Sequence, residues 1–411
     1  MKRSLFLFLS ILLFWACQSE VPAEDEVKIK EIATAIPEGG EPNLFVSEAG
    51  NIYLSWVAYL NDTTNILQYA RLEDGVWNSP TEIARGTDWF VNWADFPSLA
   101  VFREKEETLA AHWLQKSANG TYDYDVRVSI SKDAGENWSP SFVPHTDGIS
   151  AEHGFVTPLP MQNDRLLATW LDGRNTKSPA GEGHDDHKQE HNGAMTLRTA
   201  EFDVNGLLFE EAELDDRICD CCQTDAALTS LGPVVVYRDR SEREIRDIFI
   251  VRKLDGEWTS PKPVSSDNWR IAGCPVNGPA VAARNQQLAV AWFTGAKEEN
   301  RVKVALSEDA GASFTPAFTI DDGNPIGRVD IVFTAKGEAL ISWIEQVAGG
   351  GEIRVAKVDQ TGKQGKSITL MSTGISRQSG FPILETHEGS YILAWTSGEE
   401  KTTVRTIQFE L

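Results

Sequence analysis

The chain holds only four methionines, and its five cysteines are confined to three places: Cys17, the run Cys219-Asp220-Cys221-Cys222, and Cys274. Scarce methionine beside thirteen tryptophans suits sheets, whose pleated faces accept large rigid side chains, better than helices. Basic blocks are missing too, although the formal charge is -23. That excludes nucleic acid as a partner and repels acidic ligands at long range, so any acidic substrate would need a local cluster of arginines. The conspicuous apolar run, Leu5 to Ala16, is too short to span a bilayer. What remains is 411 residues with 41% apolar content, enough to bury a large core either as one all-β unit or as two domains.

The N-terminus reads as separate from the fold. Lys2-Arg3 precede the apolar run, the layout of a secretory signal over residues 1–16. Leu12-Leu13-Phe14-Trp15-Ala16-Cys17 resembles the lipobox of bacterial lipoproteins, which implies lipidation of Cys17 and export to a bacterial membrane. An outer-membrane anchor with the protein on the periplasmic or cell-surface face is expected, and a plain secreted protein or a short membrane anchor is the alternative. Residues 17–26, acidic and Pro-containing, read as a tether, and the lipid is then the only contact with a membrane.

Beyond the tether one pattern repeats: a short apolar strand, a turn, then a strongly apolar strand ending in an aromatic residue. These aromatics are Trp56, Trp113, Trp170, Tyr237, Trp292, Trp343 and Trp395, separated by 57, 57, 67, 55, 51 and 52 positions. A period near fifty with several short strands per unit is the mark of propeller blades, small sheets that cannot cover their own faces. The expected fold is therefore an all-β propeller over residues 27–411, with seven blades preferred and six admissible. The seventh unit lacks an outer strand after Thr402 to Phe409, while Val27 to Ala35 is an unused alternating strand at the front, so pairing the two would close the ring. The long separation of 67 reflects an insertion, Gly173 to Gly193, whose His184, His187 and His191 have metal-like spacing but read as solvated loop residues.

Two stretches carry a family resemblance. Ser131-x-Asp133-x-Gly135-x-x-Trp138 and Ser307-x-Asp309-x-Gly311-x-x-Phe314 resemble the Asp-box of sialidase-like (BNR-repeat) propellers, and Asp74-Gly75-Val76-Trp77 and Asp255-Gly256-Glu257-Trp258 resemble it more weakly. The box is structural: Asp caps its own turn, Gly takes a left-handed backbone, and the aromatic plugs the gap between sheets. Sialidases have six blades, hold a sugar carboxylate with three arginines, and use a Tyr nucleophile, a Glu and an Asp. The resemblance implies Tyr237, Asp225, Asp239 and Glu345 as candidate catalytic residues. The family's early Arg-Ile-Pro motif is absent.

The loops joining second to third strands and those crossing between blades should open on one face, opposite the Asp-boxes. Unusual polar residues gather on that face, among them Asp95, Glu152, His153, Asp172, Arg174 and the charged run Arg238 to Asp247. Arg238, Arg240, Arg246, Arg270, Arg328 and Arg377, with Trp269 and Asn277, form the expected ligand site, since guanidinium forks grip carboxylates and aromatic faces stack on sugar rings. The implied partner is a glycan or other anionic small molecule, handled either by an exo-acting glycoside hydrolase or by a non-catalytic binding lipoprotein, and a monomer is expected. Cys219, Cys221, Cys222 and Cys274 occupy equivalent crossings of adjacent blades and should meet, as two disulfides or as a thiolate metal site. No cofactor is required by the glycan reading; a metal at the cysteines would make the chain a metal-binding propeller.

Overall fold

The structure, a computed structural model, describes residues 27–34, 36, 38–177 and 193–411. Residues 1–26, with Cys17, and the insertion histidines His184, His187 and His191 lie outside the described residues. Seven antiparallel sheets follow one another along the chain. The innermost strands are Gly39–Val46, Ser98–Val101, His153–Pro160, Asp225–Thr229, Ala280–Arg284, Pro325–Phe333 and Ile383–His387, which define blades 1 to 7 in order. The preferred count of seven holds, and the six-blade alternative falls.

Closure occurs as expected. Lys28–Ile32 pairs antiparallel with Thr403–Glu410, from Lys28 opposite Glu410 to Ile32 opposite Thr406, and so supplies the outer strand of blade 7. Both edges that would otherwise be exposed are thereby used.

Each strand alternates its side chains between two seams, and the buried apolar residues fall into seven clusters, each lying mainly between two neighbouring blades. Ala110 faces the seam between blades 2 and 3, for example, and Ala111 the seam between blades 1 and 2. The second strand of each blade is buried on both faces, so the core is a ring of seams around a central axis.

The second strands run past their aromatics, a departure from the sequence reading. Arg165–Asp172 extends two residues beyond Trp170, and Ala339–Val347 extends four beyond Trp343. In two blades the extra residues satisfy the buried indole: Trp170 Nε1 donates to Asp172 at 2.8 Å and Trp343 Nε1 to Glu345 at 2.7 Å; Trp292 Nε1 reaches Asp267 at 2.7 Å, while the indole N–H groups of Trp56, Trp113 and Trp395 are buried without an acceptor. A buried N–H without such an acceptor would cost about 1–3 kcal/mol.

The two full Ser-x-Asp-x-Gly turns share one bonding scheme. Gly135 N donates to Ser131 Oγ and Asn137 N to Asp133 Oδ1, at 2.8 and 2.9 Å. Gly311 N and Ser313 N repeat this on Ser307 and Asp309 at 2.9 and 2.8 Å. Gly135 and Gly311 have φ of 89° and 82°, where a Cβ would be strained. Trp138 packs edge-on against Tyr69 of the preceding blade. The two weaker stretches differ. Asp74-Gly75 and Asp255-Gly256 are two-residue hairpin turns with positive φ at both positions, connecting Leu72 with Trp77 and Lys253 with Trp258.

The closing strand makes a direct prediction. Ile32 is 2% exposed and Ile29 on the same strand is 41% exposed. Ile32→Ala should cost about 2–5 kcal/mol in urea unfolding, and Ile29→Ala less than about 0.5 kcal/mol.

Candidate functional site

The crossing loops are tied together around one rim. Gln223, before blade 4, donates from Nε2 to Ala94 O before blade 2 at 2.6 Å and accepts from Gly278 N before blade 5 at 3.0 Å. Asn277 accepts from Arg328 N of blade 6 at 2.7 Å, and Arg328 in turn donates to the carbonyls of Ser376 and Gly380 before blade 7, both at 2.9 Å. Polar side chains therefore replace regular strand pairing as the fastening of this rim.

Most of the expected ligand arginines are consumed by that fastening. Arg238 is 2% exposed and donates to the carbonyls of Asn277, Arg246 and Phe293 at 2.7 to 3.1 Å, with its guanidinium over the Trp269 ring. Arg328 stacks over Trp93, and burial without a carboxylate partner brings its guanidinium down to about 10. Neither offers a free fork to a ligand. Arg240 is held by Glu244, and Arg246 lies between Glu244, Asp220 and Cys219. Arg270 and Arg377 are exposed, with no ion pair among the described residues.

The expected catalytic set is not assembled. Tyr237, 1% exposed, replaces a seam tryptophan, and its hydroxyl donates to Asp215 at 2.5 Å just as the indoles bond their carboxylates. Glu345 accepts from Trp343 and from Asn324 N. Asp225 accepts from Val281 N of blade 5 at 2.7 Å and from Ala226 N at 2.8 Å, one of three such links from a carboxylate at or just before one inner strand to the inner strand of the next blade. Asp95 bonds Phe155 N of blade 3 at 2.6 Å, and Asp330 bonds Leu384 N of blade 7 at 2.7 Å. These carboxylates staple blades 2, 4 and 6 to blades 3, 5 and 7 and, with Glu385, line an axial cavity of about 730 Å³. Asp239 is half-buried, and burial together with the charge of Asp215 pushes its carboxyl to about 7.

A different constellation occupies the mouth. The Tyr124 hydroxyl lies 3.1 Å from Asp95 Oδ2 and 3.0 Å from Glu152 Oε1. One hydroxyl proton serves two acceptors, so the trio is best satisfied when one carboxyl keeps its own proton. Burial raises Asp95 to about 7. Burial raises Glu152 to about 8, the Tyr124 hydroxyl opposing and the charges of Asp95 and Asp220 adding to the rise. Tyr124 is fully buried, whereas Glu152 is partly exposed, which makes Glu152 the member that can meet a ligand. Sequence reasoning placed Asp95 and Glu152 on this face but missed Tyr124, because a tyrosine opening a strand is indistinguishable from a packing residue.

Beside it, His145 and His153 stack at 3.7 Å. Asp147 Oδ2 lies 3.0 Å from His153 Nε2 and 2.9 Å from Arg174 Nε, and Arg174 also grips Asp172 and Glu211. Burial lowers His153, but hydrogen bonds to Asp125 and Asp147 outweigh it and raise the ring to about 9. Burial takes His145 to about 4. The knot fastens the crossing from blade 2 to blade 3; sequence reading noted His153 and Arg174 but not His145 or Asp147, which lie in an irregular stretch.

The four cysteines beyond Cys17 converge, as their equivalent crossings required. Cys219 Sγ lies 3.8 Å from Cys221 Sγ and 3.5 Å from Cys222 Sγ, and Cys221 lies within 4.8 Å of Cys274 and of an Asp220 oxygen. All four are free thiols in this structure. Contacts from the Cys221 and Cys222 thiols, then the Arg238 and Arg246 charges, hold Cys219 well below the usual thiol range.

No family model and no curated protein matches the chain. Among solved structures it is similar to the polysaccharide lyase Uly1, at 11% identity and a TM-score of 0.53, over 92% of this chain and 91% of that one. It is also similar to the α-L-arabinofuranosidase Arb93A from Fusarium graminearum in complex with an iminosugar inhibitor, at 12% identity and a TM-score of 0.51, over 92% and 96% of the two chains. The NanB sialidase from Streptococcus pneumoniae aligns at 10% identity and a TM-score of 0.48, over 88% and 83%. The likeness is one of fold: the chain is a seven-bladed β-propeller.

The raised groups set a pH dependence. Asp95, Asp225 and Asp330 at about 7, and Glu152 and Glu385 at about 8, keep protons in the folded state that the unfolded chain releases near pH 4. Their contribution is full at low pH and is lost as pH rises through about 8; that of His153 is present below its unfolded value and is lost as pH rises through about 9. The melting temperature should therefore be higher at about pH 5.5 than at about pH 9, and Glu385→Gln should flatten the difference.

Proposed function

We propose that the chain is a carbohydrate-directed propeller that works at the mouth of its crossing-loop face, with Glu152 as proton donor to an acidic glycan. The observation that carries this reading is the Asp95–Tyr124–Glu152 trio, whose partly exposed member, Glu152, stays protonated near neutral pH. A carboxyl held near 8 is matched to giving a proton to a leaving oxygen at physiological pH. The fold shared with a polysaccharide lyase and an arabinofuranosidase supports a sugar ligand. The exposed guanidinium groups of Arg270 and Arg377 support an acidic one, because a chain of charge -23 needs local cations to hold it.

Recognition without turnover is the second reading. It is favoured by the complete burial of the Tyr124 hydroxyl and by the commitment of Arg238 and Arg328 to backbone carbonyls. A panel of acidic polysaccharides, uronosides and a fluorogenic sialoside separates the two. Turnover that falls about 10²- to 10⁴-fold in Glu152→Gln supports catalysis. Binding that weakens in the Arg270→Ala/Arg377→Ala double variant, with no product, supports recognition. A panel that is neither bound nor cleaved would remove both.

Export with a lipid on Cys17 belongs to the same proposal, resting on the lipobox-like run before it. Full-length protein should sediment with membranes and Cys17→Ser should be released from them; an unchanged distribution would overturn the anchor.

A further inference from the structure

The cysteine cluster is not used by the glycan reading, and its geometry is specific. Cys219, Cys221 and Cys222 place three sulfurs within 4.8 Å of one another, two of the separations being 3.5 and 3.8 Å. A thiophilic ion with metal–sulfur bonds of about 2.3 Å in a tetrahedron sets its sulfurs about 3.8 Å apart. Cys219 is nearly equidistant from two sulfurs, and Cys221 is near both Cys219 and Cys274. Disulfides pair sulfurs two by two; shared neighbours are what one central ion requires.

The surroundings suit such an ion. The loop is fixed before any ligand arrives: Ile218 N donates to Met195 O, and Cys219 N to Arg238 O, both at 2.9 Å. Arg246 Nη1 lies 3.1 Å from Cys219 Sγ, while its other terminal nitrogen is held by Glu244 at 2.9 Å. A divalent ion on three or four thiolates leaves a net negative charge, and the buried guanidinium groups of Arg246 and Arg238 offset it, the second layer that orients and tunes ligands in such centres. Cys219 and Cys222 are buried, and Cys274, grouped with Cys221 and Asp220, is exposed, so three sulfurs sit together on one loop and the fourth would close from the solvent side.

We infer that Cys219, Cys221 and Cys222, completed by Cys274, form a thiolate site for a single thiophilic d¹⁰ cation, Zn²⁺ or Cu⁺, at the mouth of the propeller. Sulfur donors select these ions over hard cations. The site lies beside the trio, since the Asp220 charge reaches Glu152, but it does not depend on glycan turnover.

The full chain, reduced and stripped of metal, is titrated with Zn²⁺ alone and, without oxygen, with Cu⁺ alone against a chromophoric competitor. One equivalent of at least one of these ions should bind, and Co²⁺ should give a sulfur-to-cobalt charge-transfer band with tetrahedral ligand-field bands. Cys274→Ser, at an exposed position, should keep the fold and weaken binding at least tenfold; Cys221→Ser should abolish it. If Cys221→Ser does not fold, the wild-type cobalt spectrum and Cys274→Ser decide. A mass about two lower per bridge with no metal taken up, a cobalt spectrum without sulfur ligation, or undiminished binding in the serine variants would overturn the site.

Discussion

Every blade of this protein is a sheet with two apolar faces and no means of covering either alone. That constraint explains the seven seams, the burial of Trp56, Trp170, Trp292, Trp343 and Trp395 to 2% exposure or less, and the use of Lys28–Ile32 to complete the last sheet. It also explains the site. Once neighbouring blades must pack face to face, the crossings between them are brought to a common rim, and residues as distant in sequence as Ala94, Gln223, Gly278 and Arg328 become one hydrogen-bonded network.

The network divides polar residues into those that hold the wheel and those left over. Arg238, Arg328, Asp225, Glu345 and Tyr237 belong to the first group, each hydrogen-bonded to backbone or side-chain partners within about 3.1 Å. Burying a guanidinium is tolerable when carbonyls take its protons, and Arg238 has four such contacts. Glu152, Arg270, Arg377 and the cysteine loop form the second group. Chemistry is sought among these because their bonding capacity is not exhausted.

The fold was legible in the sequence because it rests on periodicity. The aromatic spacing located all seven second strands, and the unpaired alternation of residues 27–35 located the closing strand, only part of which is used. Convergence of the cysteines was also legible, since equivalent crossings of adjacent blades must be neighbours. The catalytic candidates were less so. Tyr237 and Glu345 look reactive in sequence, but whether a polar atom is spent depends on partners such as Asp215 and Asn324 that only the packed structure supplies. Tyr124 was hidden for the opposite reason, because its significance comes from Asp95 and Glu152, contributed by two different crossings.

The pairing of Lys28 with Glu410 joins positions 382 apart, the greatest separation among the described hydrogen bonds. This latch closes a loop that spans every other sheet, so it gathers both ends of the chain into one blade. The disc is a belt buckled by its own two ends: loss of either one would bare a strand edge in the last blade and leave a template for pairing with another chain.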